Sequence, residues 1–334
     1  MALYNREDMP DLFVNHYIEQ FSRLRTDKNK KHWSVMTNYC APHKPFLLLT
    51  ILDLAAQAGL PTNFIEITPE LGEIFSQYWQ IIMPVETHGN IALPFFHLRS
   101  SGFWHFIPIP EKAGDLENIR QVDTLSQLKK YILGAKLDEE LFELIKIGEN
   151  RNILRTAIIQ SYFDLSLHEI LFKQGELNLK TFQYSQALIY KVKEGTPVSE
   201  DESEKFIFVR DQGFRKTVVK LYQHRCAFCG IRMLTVDGHS AVEAAHIIPW
   251  HVNHDDDPRN GVSLCRLCHW TFDEGLISIS SEYLILLSGE IKSSQNSVGH
   301  LGTMEHRPML RTKESLFMPF QESIHYHRAN VFRR

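Results

Sequence analysis

Four cysteines fall in two pairs, Cys226-x2-Cys229 and Cys265-x2-Cys268, with 35 residues between the pairs. Two such knuckles offer four thiolates at the spacing that suits a tetrahedral zinc ion. Four buried reduced thiols are the plainer alternative, but paired CxxC motifs seldom arise from packing alone in a reducing compartment. Four soft thiolates leave no open coordination position, so a zinc ion there holds the fold and does not catalyse. Histidine gathers in the same part of the chain. Ten of the 17 histidines follow residue 205, which makes this half the first place to look for metal and acid–base chemistry. Cys40 stands apart from the pairs and reads as a small packing residue.

Three runs interlock with the knuckles. They are Val242 to Pro249, with Glu243, Ala245 and His246; Asp257 to Leu264, with Asn260; and Cys268 to Gly275, with His269 and Asp273. His, Asn and His in that order resemble the HNH (ββα-metal) nuclease family, over roughly residues 210–280. The resemblance implies a strand ending at His246, a loop fixed by Asn260 and a helix opened by His269. Phosphodiester hydrolysis needs an activated water, a cation on the phosphate and leaving oxygen, and rigid placement of both. On the family pattern His246 is the general base and Asn260 ties down the loop through bonds to backbone. His269 is the ligand to Mg²⁺ or Mn²⁺, and Asp273, four residues on, shares its helix face and helps to hold the ion. Commoner members carry a metal-binding His or Asp immediately before the base, where this sequence has Ala245. Glu243 shares the strand face of Ala245, but two residues along a strand is about 7 Å, so it is expected to reach the ion only through water. The run Asp255, Asp256, Asp257 reads as a solvated loop before Pro258 and not as a second metal site, and His251 and His254 read as loop surface.

The first half carries a different pattern. Ala41 to Leu49 with His43 and Lys44, Leu93 to Leu98 with Pro94 and His97, and Gly102 to Trp104 resemble the sulfur-binding domains of modification-dependent (type IV) restriction endonucleases. The resemblance covers about residues 12–165. It implies a phosphorothioate cradled in a shallow apolar cavity, lined by Pro94 and His97, with His43 and Lys44 at the phosphate. Sulfur is larger and more weakly hydrated than oxygen, so it is easier to desolvate against carbon, while the phosphate charge still requires cations. Leu93 stands where an aromatic often precedes the proline, and Lys44 where an arginine often follows the histidine. Taken singly, Pro94 and Trp104 fit ordinary hairpin packing equally well. The basic window from Arg23 to Trp33 either tracks phosphates or is a solvated face.

A chain of 334 residues is too long for one ordinary core and fits two domains with a linker. With 43% hydrophobic and 23% charged residues it is neither disordered nor fibrous. Apolar spacing predicts helices over 45–58 and from Thr68-Pro69 to just before Pro84, then a β-hairpin of 91–98 and 103–109 turning at 99–102. Helical patterns follow over 124–133, 138–147 and 150–163. The expected class is α+β, with a mainly helical recognition domain over 1–165, a linker over 166–205 that holds one helix over 180–193, an HNH nuclease domain over 206–290 and a tail over 291–334. A helix over 213–223 leads into the first cysteine pair.

Net charge is −4, so any polyanion must be met by local patches. The longest apolar stretch, Phe46 to Leu60, contains Asp53 and Gln57 and is too short to span a bilayer, and the start lacks the apolar core of a secretory signal. The expected setting is cytoplasmic, without a membrane. The expected partner is double-stranded DNA that carries a modification, and the expected activity is metal-assisted cleavage of phosphorothioated DNA. A single-metal site of this kind cuts one strand, so a double-strand break requires a homodimer or two encounters. Two other readings compete: an HNH endonuclease directed to methylated or hydroxymethylated bases through a flipped-base pocket, and a non-catalytic zinc-containing DNA-binding protein.

Overall fold

The computed structural model describes residues 9–83, 89–195, 204–235, 238–293 and 296–333. It divides into two compact units, residues 1–179 with 236–239 and residues 180–235 with 240–334. The first contains α1 (Met9–Ser22), α2 (His43–Ala56), α3 (Pro69–Ile82), α4 (Ala92–His97), β1 (Trp104–Pro108), α5 (Ala113–Asn118) and α6 (Leu125–Leu128). It continues with β2 (Ile132–Leu137), α7 (Glu139–Lys146), α8 (Gly148–Tyr162) and the first half of α9 (Leu165–Glu194).

Helix α2 is apolar nearly all round because it is central. Phe46, Leu47, Leu48, Leu49, Ile51 and Leu52 are all buried, and α3, α4, α7 and α8 pack around it. Thr68 caps α3 and Pro69 opens it, as the sequence predicts. A charged pair, Asp53 with Arg155, lies inside this apolar body. Asp53 Oδ2 accepts from Tyr78 Oη at 2.9 Å and from Asn178 Nδ2 at 2.6 Å, and Arg155 pairs with Oδ1 while donating to Tyr78 Oη at 2.8 Å. Full pairing is what makes a buried carboxylate tolerable here.

The expected hairpin is not formed. Residues 92–97 are helix α4, and β1 pairs instead with β2, antiparallel, with Trp104 opposite Leu137 and Ile107 opposite Gly134. Pro94 sits in the first turn of α4, where no backbone N–H is needed, whereas in a ladder it would remove a bond. Ala92, Phe95 and Phe96 are completely buried on that short helix. The helix expected over 124–133 is a single turn, closed by a capping box between Thr124 and Gln127, before the chain becomes β2. Strand pairing prevails because it buries Ile132, Ala135 and Leu137, and because Ile65 exchanges backbone bonds of 2.7 and 2.9 Å with Ala135. That approach demands Gly134, where a Cβ would stand 2.5 Å from the Ile65 carbonyl oxygen.

The second unit holds the rest of α9, then α10 (Glu204–Leu221), β3 (Val242–His246), α11 (Trp250–Asn253), β4 (Gly261–Cys265), α12 (Arg266–Asp273), β5 (Ile277–Ile279), β6 (Ile285–Leu287) and α13 (Gln321–Asn330). The span expected as a linker is mostly the 30-residue helix α9, with Leu167 and Leu171 in the first core and Leu188 in the second. The expected tail is integral to the second unit: Leu301, Met304, Met309 and Ile324 are buried in its core. His327 of α13 is buried too, with Nδ1 at 2.9 Å from Ser278 Oγ, Nε2 at 3.1 Å from the Phe272 carbonyl and its ring flat on Phe272. Among the described residues no helix is long and apolar enough to cross a membrane.

Candidate active site

Strands β3 and β4 run antiparallel, with Val242 opposite Cys265 and His246 opposite Gly261, so His246 stands at the end of β3. Helix α10 packs across this pair. At Gly261 a Cβ would meet Val218 Cγ2 at 2.6 Å and Phe214 Cζ at 2.8 Å, so only glycine admits the helix this close. Phe214 then lies parallel to the His246 imidazole, with ring centroids 3.9 Å apart.

The connection from β3 to β4 is tied by Asn260, which is fully buried. Its Oδ1 accepts from the Ile248 N–H at 2.9 Å, and its Nδ2 donates to the carbonyls of Ile248 and Asp255, both at 3.1 Å. The acidic run is not solvated as expected, because Asp256 and Asp257 are buried. Asp257 accepts from the Arg259 backbone N–H at 2.9 Å and from the Arg259 guanidinium at 2.9 and 2.8 Å. Asp256 turns inward: its Oδ1 is 2.9 Å from His246 Nε2, its Oδ2 accepts from Tyr184 Oη at 3.0 Å, and Arg210 Nε forms an ion pair with Oδ2 at 3.2 Å. His251 and His254 are exposed, the latter stacked on Trp250.

Helix α12 follows β4 directly and presents His269 and Asp273 one turn apart, with His269 Nε2 at 3.4 Å from Asp273 Oδ2. Partial desolvation beside its neighbours raises the exposed Asp273 carboxyl above its ordinary value, although the His269 ring opposes this. Glu243 comes closer than strand geometry alone suggests: its Oε2 is 3.5 Å from His269 Nδ1, because the long side chain crosses from β3 to α12. The imidazole is thus flanked by a carboxylate at each nitrogen, and Arg266 Nε lies 3.6 Å from the other Glu243 oxygen. The four cysteine sulfurs all lie within 4.8 Å of one another, and Cys229 Sγ is 3.7 Å from Cys265 Sγ. Tetrahedral bonds of about 2.3 Å put sulfurs roughly 3.8 Å apart, so this group can hold one metal ion.

In the first unit, His43, Lys44, Pro94 and His97 line one open cavity of about 660 Å³, together with Arg25, Trp33, Leu93 and Arg99. The walls come from α2, from α4 and from the loop before α2. Lys44 is buried, and its Nζ donates to the Arg25 carbonyl at 2.9 Å. Burial and the Arg25 cation push the Lys44 amine down to about 8, and burial pushes His43 down to about 4. His97 is lowered by burial and by Lys44 and Arg99. Cations crowded in this way favour an anionic guest. Asp27, the acid of the lining, is engaged by the Trp33 indole N–H at 2.9 Å.

The HNH endonuclease family model matches residues 226–280. This region is an HNH endonuclease domain. The ββα order of β3, β4 and α12 lies inside the matched residues. No curated protein matches the chain. Among solved structures, a modification dependent TagI restriction endonuclease is similar at 24% identity over 35% of this chain, with a TM-score of 0.28. The match spans 37% of that protein.

Sequence reasoning named His246, Asn260, His269, Asp273 and the cysteines, but missed Asp256, Tyr184, Arg210 and Phe214. Only Asp256 left a trace, as a carboxylate four residues before the tethering asparagine. Arg99 went unnoticed at the cavity, and Arg25 was seen only as part of a basic window.

Proposed function

We propose that the protein is a modification-dependent DNA endonuclease that cleaves phosphorothioated double-stranded DNA. The observation that carries the reading is the meeting of His43, Lys44, Pro94 and His97 in one cavity with Arg25 and Arg99, in a chain that also bears an HNH domain. Pro94 and Leu93 provide apolar wall for a weakly hydrated sulfur. Lys44 and Arg99 each commit one donor to a carbonyl, of Arg25 and Ile119, and their remaining donors together with Arg25 carry the charge for the phosphate.

In the HNH domain His246 takes a proton from water and Asn260 keeps the loop beside it fixed. His269, Asp273 and Glu243 would hold a Mg²⁺ or Mn²⁺ ion, two carboxylates and an imidazole being a donor set suited to it. When bound, such an ion stabilises charge on the phosphate and the leaving oxygen. The four cysteines would hold a structural zinc, whose sulfur spacing they match.

The test is to incubate the full-length protein with Mg²⁺ or Mn²⁺ and matched unmodified, phosphorothioated and methylated plasmids. Cleavage confined to the phosphorothioated plasmid is expected. Preferred cleavage of the methylated plasmid would move the recognition to a base. DNA binding without cleavage of any plasmid would leave a zinc-containing binding module.

A further inference from the structure

Asp256 has no place in the chemistry described so far, yet it is a buried carboxylate in direct contact with His246. Its side chain is 5% exposed. It gathers partners from three separate elements: the Tyr184 hydroxyl on α9 as donor, Arg210 on α10 as ion-pair partner and His246 at the end of β3. Such a buried carboxylate persists as an anion only when it is paired and its oxygens are satisfied. Tyr184 and Arg210 converge on Oδ2, which leaves Oδ1 to the imidazole at 2.9 Å. A carboxylate anion accepts and does not donate, so Nε2 of His246 carries a proton and the lone pair of the neutral ring lies on Nδ1. Phe214 covers a face of the ring and prevents it from turning freely.

We propose that Asp256 is the positioning residue for His246. It fixes the imidazole as the Nε2–H tautomer and balances the positive charge that the ring gains when Nδ1 takes a proton. This rests on the reading of His246 as the base. In the step itself a water O–H bond breaks, the proton goes to Nδ1 and the freed oxygen pair forms the bond to phosphorus. The ester oxygen leaves with the electron pair of its broken P–O bond and takes a proton from solvent. Tyr184 and Arg210 serve by holding the carboxylate in place.

The isosteric variant Asp256→Asn separates this from a merely structural role. Tyr184 donates and the Arg210 cation lies beside it, so together they draw the amide oxygen toward themselves and turn the NH₂ toward Nε2. The ring must then accept at Nε2 and move its proton to Nδ1, where the base is lost. The experiment uses full-length protein with ¹⁵N-labelled histidine, the His246 signals being assigned by their absence in His246→Gln. Wild type is expected to show the Nε2–H tautomer and Asp256→Asn the Nδ1–H tautomer. On phosphorothioated plasmid with Mn²⁺, kcat should fall on the order of 10²-fold while KM and DNA affinity hold. Bound zinc and the thermal midpoint report that the variant is folded. A wild-type ring protonated on Nδ1, or on both nitrogens at the pH of cleavage, overturns the proposal, as does an Asp256→Asn variant with unchanged tautomer and kcat. Failure of the underlying reading looks different: His246→Gln would cleave at the wild-type rate while the wild-type tautomer remained as stated.

Discussion

Phe214 and His246 stack with their ring planes 7° from parallel. A flat aromatic contact on one face, with Nε2 held at its edge, leaves the imidazole little freedom to leave its orientation. A base held in this way needs no reorganisation when water arrives. His246→Ala should therefore abolish cleavage while DNA affinity stays within about twofold, because a base acting on water adds little ground-state binding. Phe214→Ala should keep the base but lower kcat roughly tenfold through loss of orientation. Single-turnover cleavage and gel retardation on the same DNA check both, and wild-type cleavage by His246→Ala would remove the assigned base.

The flanking of His269 by Glu243 and Asp273 predicts a change in metal demand. Glu243→Ala and Asp273→Ala should each raise the Mn²⁺ concentration for half-maximal cleavage by roughly tenfold or more, and His269→Ala should abolish activity. Titration of Mn²⁺ against cleavage rate is the measurement. Unmoved titration curves in both carboxylate variants would show that neither holds the ion.

Cys226→Ser or Cys268→Ser should unfold the second unit, since a structural zinc contributes folding free energy on the order of 10 kcal/mol. Elemental analysis should find one zinc per chain, and a strong chelator should lower the thermal midpoint. Well-folded protein without zinc would contradict this.

The cavity in the first unit makes a salt-dependent prediction. Arg99→Ala should weaken binding to modified and plain DNA alike and reduce the log–log salt slope by about one unit, as one phosphate contact does. Pro94→Glu should lose the preference for phosphorothioated DNA far more than general affinity, because a carboxylate replaces apolar wall and repels the phosphate. Paired oligonucleotides differing in a single backbone sulfur, titrated with full-length protein, give both quantities. Equal wild-type affinity for the pair would discard sulfur recognition.

Burial pushes His327 down to about 4, from 6.5 for a free histidine, so the folded chain favours the neutral ring. Below pH 6.5 the unfolded chain binds a proton that the folded chain refuses, and stability falls as pH drops from there toward 4. The loss across that window is about 3 kcal/mol from this residue. His327→Gln should flatten the pH dependence of the unfolding midpoint between pH 6.5 and 4. His43, lowered in the same way, should leave a residual slope.

The sequence by itself determined what is written in local spacing. The paired cysteines, the order of His246, Asn260 and His269, the capped start of α3 and the apolar girth of α2 all depend on neighbours within a few residues, and each is readable without the fold. The placement of His43, Lys44, Pro94 and His97 in one cavity was inferred from likeness, and it took α2 and α4 to bring their walls together. The segment 91–98 misleads because a run buried on every side has no period to separate strand from helix, and only its surroundings decide. The acidic run misleads for a related reason: Asp256 and Asp257 look solvated in sequence until Tyr184 and Arg210 reach the first from 72 and 46 residues away and Arg259 pairs the second from 2. Burial of charge is a property of the assembled partners, since a carboxylate leaves water only where donors replace it. Tertiary structure thus decided which aspartate meets His246, and it did so by packing α10 against β3 and bringing Tyr184 of α9 to the loop that follows the strand.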